Sequence, residues 1–261
     1  MYWLFIKGSA VTAYKEPRLL AMGDTAWTIE LGSDIDLQVN LSCLALTTTL
    51  NDLILKGFLT GIKDVVPTFR SVTVHYDPLV THPVSLGQTL IDVARNVRGV
   101  DISGRHWHLP VCFDDHFGLD FEVVSKKVEL DINQVIARLL AVELRVYAMG
   151  FMPGFAYMAH LPSDLHVPRL KTPRTSVPPQ SLAIAGEMAC IYPWDSPGGW
   201  NVVGRMPVPL FFSKNAEHPG LFNTGDKVTF YRIDTNNYHE LHKKHSYNPD
   251  VRNEYLRKIQ S

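Results

Sequence analysis

The chain is short of cysteine. Cys43, Cys112 and Cys190 are scattered and odd in number among 261 residues. A disulfide framework is therefore excluded as an organising principle, and a reduced, cytoplasmic compartment is the easier reading. An excess of one charge is also lacking. A formal net charge of -1 argues against general binding to nucleic acid or to an anionic membrane. No long hydrophobic run occurs. The opening MYWLFIKG is a brief apolar stretch with no basic region before it, too short for a signal peptide or a spanning helix. There is no G-x-S-x-G elbow and no G-x-x-x-x-G-K-[ST] phosphate loop. Internal repeats and low-complexity runs are absent too.

What is present is ordinary in bulk, with 46% hydrophobic and 20% charged residues. A chain of this length buries one large core or two modest ones. After an N-terminal extension over 1–17, residues 18–108 alternate between strand and helix patterns. Ala26–Leu31 alternates with period two. Asp36 opens a helical spacing through Leu37, Leu41, Leu44 and Leu55, with Asn51 or Gly57 as its end signal. Val65–Phe69 and Ser71–Tyr76 read as strands closed by Asp77-Pro78. Ser85 can cap a second helix that Gly99 ends. The resulting β-α-β-β-α-β order predicts a ferredoxin-like half, with helices on one face of an antiparallel sheet.

Trp107–Phe113 reads as a strand opening the second half, 109–234. Helices follow over 121–127 and after an Asp131 cap. Arg145–Ala148, Ser181–Ala185, Ala189–Tyr192, Asn201–Arg205 and Lys227–Ile233 are strand candidates, and many short strands between Gly/Pro turns predict a β-barrel. The fold class is thus α+β. Residues 235–261 form a polar, helix-prone tail.

The densest signal runs from Gly150 to Phe211, where glycine, proline and aromatic residues recur every few positions. A helix cannot hold so many prolines, and a linker would lack the aromatics. Gly154, Gly186, Gly198 and Gly199 permit close backbone approach, and amides in such turns can hold a carboxylate or oxyanion. Arg169, Arg174 and Arg205 are fork-shaped donors for carboxylate or phosphate. Phe151, Phe155, Tyr157, Tyr192 and Trp200 can wall a flat cavity. A small cyclic amide bearing one carboxylate suits this set, provided the arginines converge. The bland alternative is barrel turns, core aromatics and surface ion pairs. No nucleophile is evident: Ser181 and Ser196 lack a partnered histidine, and Cys190 sits in a strand. Asp195 and Glu187 are the candidates for acid–base work. His239, His242 and His245, and the pair His106 and His108, lack the carboxylate or thiolate spacing of a metal site, so no metal is predicted.

The segment Gly150-Phe151-x-Pro153-Gly154-Phe155-x-Tyr157 resembles the signature of the family that joins KipI, allophanate hydrolase subunit 1 and the B subunit of 5-oxoprolinase. So do Pro168-Arg169, Pro173-Arg174, Val177-Pro178, Ser181, Gly186, Tyr192-Pro193, Pro197-Gly198-Gly199-Trp200, Gly204-Arg205 and Leu210-Phe211. The likeness continues upstream at Leu109-Pro110-Val111, Phe117-Gly118-x-Asp120, Tyr76-Asp77-Pro78 and Gly23-Asp24. It implies a small α/β domain joined to a cyclophilin-like β-barrel, and it adds Pro153 to the substrate-binding set. It also implies one part of a complex that opens 5-oxoproline to glutamate using ATP. The expected partner is a second subunit of homologous fold, of the 5-oxoprolinase C type or the allophanate hydrolase subunit 2 type. A third subunit, of the 5-oxoprolinase A type, is a possible further member. One branch of the family inhibits a sporulation histidine kinase.

The sequence departs from the family pattern at three places. Glu187-Met188-Ala189-Cys190 stands where Gly-Gln-Thr-Gly is usual. Leu139 replaces a histidine that many members carry, and Gln180 replaces a glycine. The functions to be separated are a subunit of an ATP-dependent cyclic-amide hydrolase, a regulator that binds a sensor histidine kinase, and a prolyl isomerase. Fold alone does not choose among them.

Overall fold

The structure, a computed structural model, describes residues 13–97, 104–213, 219–247 and 252–257. The opening MYWLFIKG and the expected helix stop at Gly99 lie outside them. The chain divides into two compact units, 1–102 and 103–261.

The first unit is a four-stranded sheet with two helices. Its elements are β1 (Ala13–Ala21), β2 (Ala26–Gly32), α1 (Leu37–Leu55), β3 (Ile62–Pro67), β4 (Ser71–Tyr76) and α2 (Pro83–Asn96). The sheet order is β1-β2-β4-β3, with every neighbour antiparallel. Asp36 caps α1, accepting the Gln38 and Val39 amides at 2.8 and 3.0 Å. The helix runs past Asn51 and stops before Gly57, which takes φ 75°. Ser85 is not the cap of α2. The helix begins at Pro83, whose ring presets the first turn, behind His82. Both helices share one core with the sheet, in which Ile29, Leu46, Leu50, Val72 and Leu90 are fully buried.

The chain order here is β-β-α-β-β-α, not the expected β-α-β-β-α-β. No strand follows α2 among the described residues of this unit, and the edge beside β2 is held by β1 instead. That strand starts at Ala13, inside the expected 1–17 extension. It is a mostly exposed edge carrying Lys15, Glu16, Pro17 and Arg18, so no alternation marks it.

The second unit comprises β5 (His106–Cys112), α3 (Phe121–Val128), α4 (Ile132–Ala141), β6 (Leu144–Met149), β7 (Ala156–Ala159), β8 (Arg174–Val177), β9 (Ser181–Ala185), β10 (Met188–Ile191), β11 (Ser196–Gly198), β12 (Asn201–Arg205), β13 (Lys227–Ile233), α5 (Thr235–Tyr247) and α6 (Arg252–Tyr255). Seven strands close a barrel in the order β10-β7-β6-β13-β5-β12-β9. The parallel pair β5–β13 is the exception to its antiparallel pairing. β8 and β11 form a separate two-stranded ribbon. Asp131 and Gln134 make a reciprocal capping box at the start of α4. Asp226 organises the β13 entrance, because its carboxylate takes the Trp107 indole at 2.8 Å, the Asn223 amide at 2.9 Å and the Arg105 guanidinium at 2.8 Å. Among the described residues no helix is long and apolar enough to cross a membrane.

Candidate functional site: an aromatic face with one cation

Strands β7, β10, β9 and β12 lie side by side, and their residues alternate between two faces. Ala156, Met158, Leu182, Ile184, Ala189, Ile191 and Val203 point into the main core. The opposite face carries Phe155, Tyr157, Ala183, Cys190, Tyr192, Trp200 and Val202, with Met188 beside them. The register pairs Tyr157 with Cys190, Cys190 with Ala183, and Ala183 with Val202 across these strands. Phe155 meets Tyr192 edge-on at 5.3 Å and Tyr157 at 4.7 Å, and Tyr157 lies 6.0 Å from Trp200. The sequence thus builds an aromatic layer on the outside of the barrel.

A strap over residues 167–170 crosses this layer. Three hydrogen bonds fasten it: Gly186 N–H to Val167 O at 2.7 Å, Leu170 N–H to Gly199 O at 2.7 Å, and the Asn201 amide to Pro168 O at 3.0 Å. Arg169 is thereby held with its guanidinium carbon 5.5 Å above the Trp200 ring, in cation–π range. Burial pushes the Tyr157 phenol up, while the Arg169 charge pulls it the other way. Burial also drives Tyr192 and the Cys190 thiol upward, again opposed by Arg169. A neutral buried thiol is not a nucleophile. The Tyr192 ring fills the space over Gly198.

The three arginines are not gathered into one cleft. Arg174 is spent on Asp120, with Nη1 and Nη2 at 2.9 and 2.6 Å from the two carboxylate oxygens. Arg205 donates to Pro179 O at 2.8 Å, and its charge acts on Tyr238 and His242 of α5. Only Arg169 among the three sits with the aromatics. Of the acid–base candidates, Asp195 accepts the Ser176 hydroxyl at 2.6 Å, tying β8 to the turn before β11, and Glu187 is an exposed turn residue. Phe151 stands at φ 71°, two-thirds exposed (66%), edge-on to Phe155 at 5.4 Å. The Pro153 carbonyl accepts the Trp194 indole at 3.2 Å. Gly154 is at φ 84°, and a Cβ there would meet Leu210 O at 3.0 Å, so both conformation and space demand glycine. Gly199 has ordinary room against Pro173. Among the described residues no group of three His, Cys, Asp or Glu side chains could hold a metal ion.

The family model described as "Carboxyltransferase domain, subdomain C and D" matches residues 17–222. The chain belongs to this carboxyltransferase-domain family. It is 32% identical over 229 residues to the B subunit of 5-oxoprolinase from Bacillus subtilis (strain 168), covering 84% of this chain and 93% of that protein. It is 37% identical over 169 residues to the B subunit of 5-oxoprolinase from Haemophilus influenzae, covering 65% and 78%. The crystal structure of TTHA0988 superposes with a TM-score of 0.69 at 31% identity, over 80% of this chain and 40% of that longer one. The first two of these relatives carry the name of the 5-oxoprolinase branch of the family that the chain's motifs resemble.

The departures from the pattern of that branch sort by position in the fold. Leu139 and Ala189 are fully buried in the main core, away from the aromatic face. Gln180 adopts φ 58°, a left-handed conformation that explains a glycine in the family pattern. Met188 and Cys190 do border the aromatic face. Sequence reasoning missed two residues that matter to the site. Asp120 was visible only as part of a motif, and Asn201 only as the start of a strand. Their shared signal is a polar side chain inside an otherwise apolar stretch.

Proposed function

We propose that this chain is a subunit of an ATP-dependent amide hydrolase that opens 5-oxoproline to glutamate. A second subunit of similar fold completes the active site, and a third takes part where present. The observation that carries this reading is the Arg169 guanidinium held above Trp200 beside Tyr157. A lactam ring fits flat against aromatic walls, and its carboxylate pairs with a single fixed fork. The names of the relatives support the same substrate. Asp195 and Glu187 lie outside this arrangement, and the Cys190 thiol is suppressed by burial. The reacting acid, base and ATP-phosphate contacts are therefore assigned to the partner, with ATP a substrate of the complex. We read the barrel as the cyclophilin-like domain and the four-stranded unit as a rearranged ferredoxin-like domain, in a cytoplasmic protein.

The test is co-expression with a partner of similar fold and an assay of ATP-dependent glutamate release from 5-oxoproline. Intact complex without turnover overturns the proposal. One feature favours a second reading, a regulator that binds a sensor histidine kinase. Phe151 and Trp194 stand exposed at 66% and 47% next to the same face. Recovery of the hydrolase partner without any kinase in a pull-down from the native host counts against it.

A further inference from the structure

The aromatic layer continues past the end that holds Arg169. From Arg169 over Trp200, ring contacts run through Tyr157 and Phe155 to Phe151, the last pair edge-on at 5.4 Å. Across the turn over 150–155, Trp194 donates its indole N–H to Pro153 O at 3.2 Å and meets Phe211 edge-on at 6.1 Å. Phe151 and Trp194 are 66% and 47% exposed. One face thus carries a fixed cation at one end and two open rings at the other.

The backbone holds Phe151 in this position at a cost. It sits at φ 71°, a left-handed conformation that glycine takes freely and a bulky side chain does not. The turn is closed on both sides of it, by Gly150 N–H to Phe155 O at 3.2 Å and by Phe155 N–H to Met152 O at 3.0 Å. Strain kept for a ring that stands two-thirds in water points to a role beyond the fold of this chain. The surroundings are also uncharged. Residues 146–159, 188–194 and 206–213, which build this end of the face, contain no Asp, Glu, Lys or Arg. Asp195 follows Trp194, but its carboxylate already takes the Ser176 hydroxyl at 2.6 Å. Aromatic rings without charge are the composition of the buried centre of a protein interface, and rigid rings are its usual anchors.

The other end of the same face decides what covers it. There the chain supplies a fork and flat walls, but Asp195 and Glu187 lie outside and no acid or base stands with them. A chain that brings those groups to a ring beside Arg169 has to lie against this layer. We propose that Phe151 and Trp194 are the anchors on which the second, similar-fold subunit of the hydrolase docks, through an uncharged apolar surface of its own. This rests on the proposed hydrolase reading, and it gives to that subunit the two rings that a kinase-binding reading would use. A charged partner surface would lose its hydration here without meeting a counter-charge.

The experiment measures binding of the purified second subunit to the full chain by calorimetry, beside turnover of the wild-type complex. Phe151→Gly removes the ring and relieves the left-handed strain. Its unfolding temperature is expected to stay level or rise while affinity for the subunit falls tenfold or more. Trp194→Ala is expected to weaken binding by a similar factor. Leu79→Ala removes an apolar side chain that is 95% exposed on the first unit, and it is expected to leave binding unchanged. Docking through these rings is overturned if the subunit does not bind, or if Phe151→Gly and Trp194→Ala bind it as tightly as wild type. It is also overturned if Phe151→Gly unfolds at a lower temperature in step with weaker binding, if Leu79→Ala weakens binding as much, or if the variants keep the subunit and lose a sensor-kinase dimerisation domain. Wild-type turnover separates the two readings. Turnover with the variants still bound sinks the docking site alone, and binding through these rings without turnover sinks the hydrolase reading alone.

Discussion

Asp120 and Arg174 form a two-point ion pair at 2.6 and 2.9 Å, and Asp120 also accepts the Val202 backbone amide at 2.7 Å. One carboxylate thereby joins the N-terminus of α3, the barrel strand β12 and the ribbon strand β8. Removing it leaves a guanidinium and a buried amide without acceptors. Breaking a buried pair from one side costs roughly 3–5 kcal/mol. Arg174 keeps 28% of its side-chain exposure, which moves the loss toward the lower end. Asp120→Ala is therefore expected to lower stability by roughly 3 kcal/mol in urea denaturation. A loss no larger than that of an exposed ion pair, below about 1 kcal/mol, would show that the ribbon is not held this way.

Two adjacent glycines make a sharper test of the aromatic layer. A Cβ on Gly198 would lie 2.4 Å from the Tyr192 hydroxyl, while one on Gly199 would lie 3.6 Å from Pro173. Gly198→Ala must push the Tyr192 ring aside, at about 1–3 kcal/mol of overpacking strain. Gly199→Ala is expected to change stability by less than about 0.5 kcal/mol. Thermal unfolding followed by near-ultraviolet circular dichroism compares the two, and equal effects would contradict the packing described.

The same residues show how far the fold could be read from the chain. Asp36 and Asp131 were legible as caps because a short acceptor stands just before a periodic apolar run, and both make the bonds that pattern implies. Strand β1 was not legible. Edge strands avoid the alternation that marks half-buried ones, and Pro17 with its charged neighbours hides this one. The 107–113 strand was read as opening the second half and does so as β5, whereas its parallel pairing with β13, which joins residues about 120 positions apart, was not legible. In the site, the aromatics were legible as a group and the arginines were not. Three guanidinium groups within one stretch look alike in sequence, whereas their fates depend on Asp120, Pro179 and Trp200, each brought up by tertiary structure.

The pH dependence of stability follows from buried histidines. His245 is held between Pro207 O and the Tyr255 hydroxyl at 3.1 Å each, and burial lowers its affinity for a proton. Burial acts in the same direction on His106, His108 and His242. The unfolded chain therefore binds more protons than the native state once the pH falls below the ordinary imidazole value, and stability rises with pH through that window. It is fully present above about pH 6.5 and is lost as the pH falls toward the folded-state values. The carboxylates Asp77 and Asp114, both held below their usual range, add their loss only in more acidic solution. The urea midpoint is expected to fall between about pH 7.5 and about pH 5. The fall should be shallower in His245→Gln, and an identical slope in that variant would remove His245 as a contributor.

Arg169 carries the proposed substrate contact, and its role separates from that of the strap that holds it. Arg169→Ala removes both the charge and the stack over Trp200, so the KM for 5-oxoproline of the assembled complex should rise tenfold or more, about 1.4 kcal/mol of binding. Because this contact is made before the chemistry, kcat should fall less than kcat/KM. Arg169→Lys keeps the charge without the planar fork and should lie between the two. Asn201→Ala loosens the strap at Pro168 while leaving Arg169 in place, so it too should raise KM, and by less. Gel filtration of each variant with its partner checks that the complex still forms. An assembled Arg169→Ala complex with unchanged KM would move the substrate carboxylate away from this face and leave the aromatic layer as a protein-contact surface.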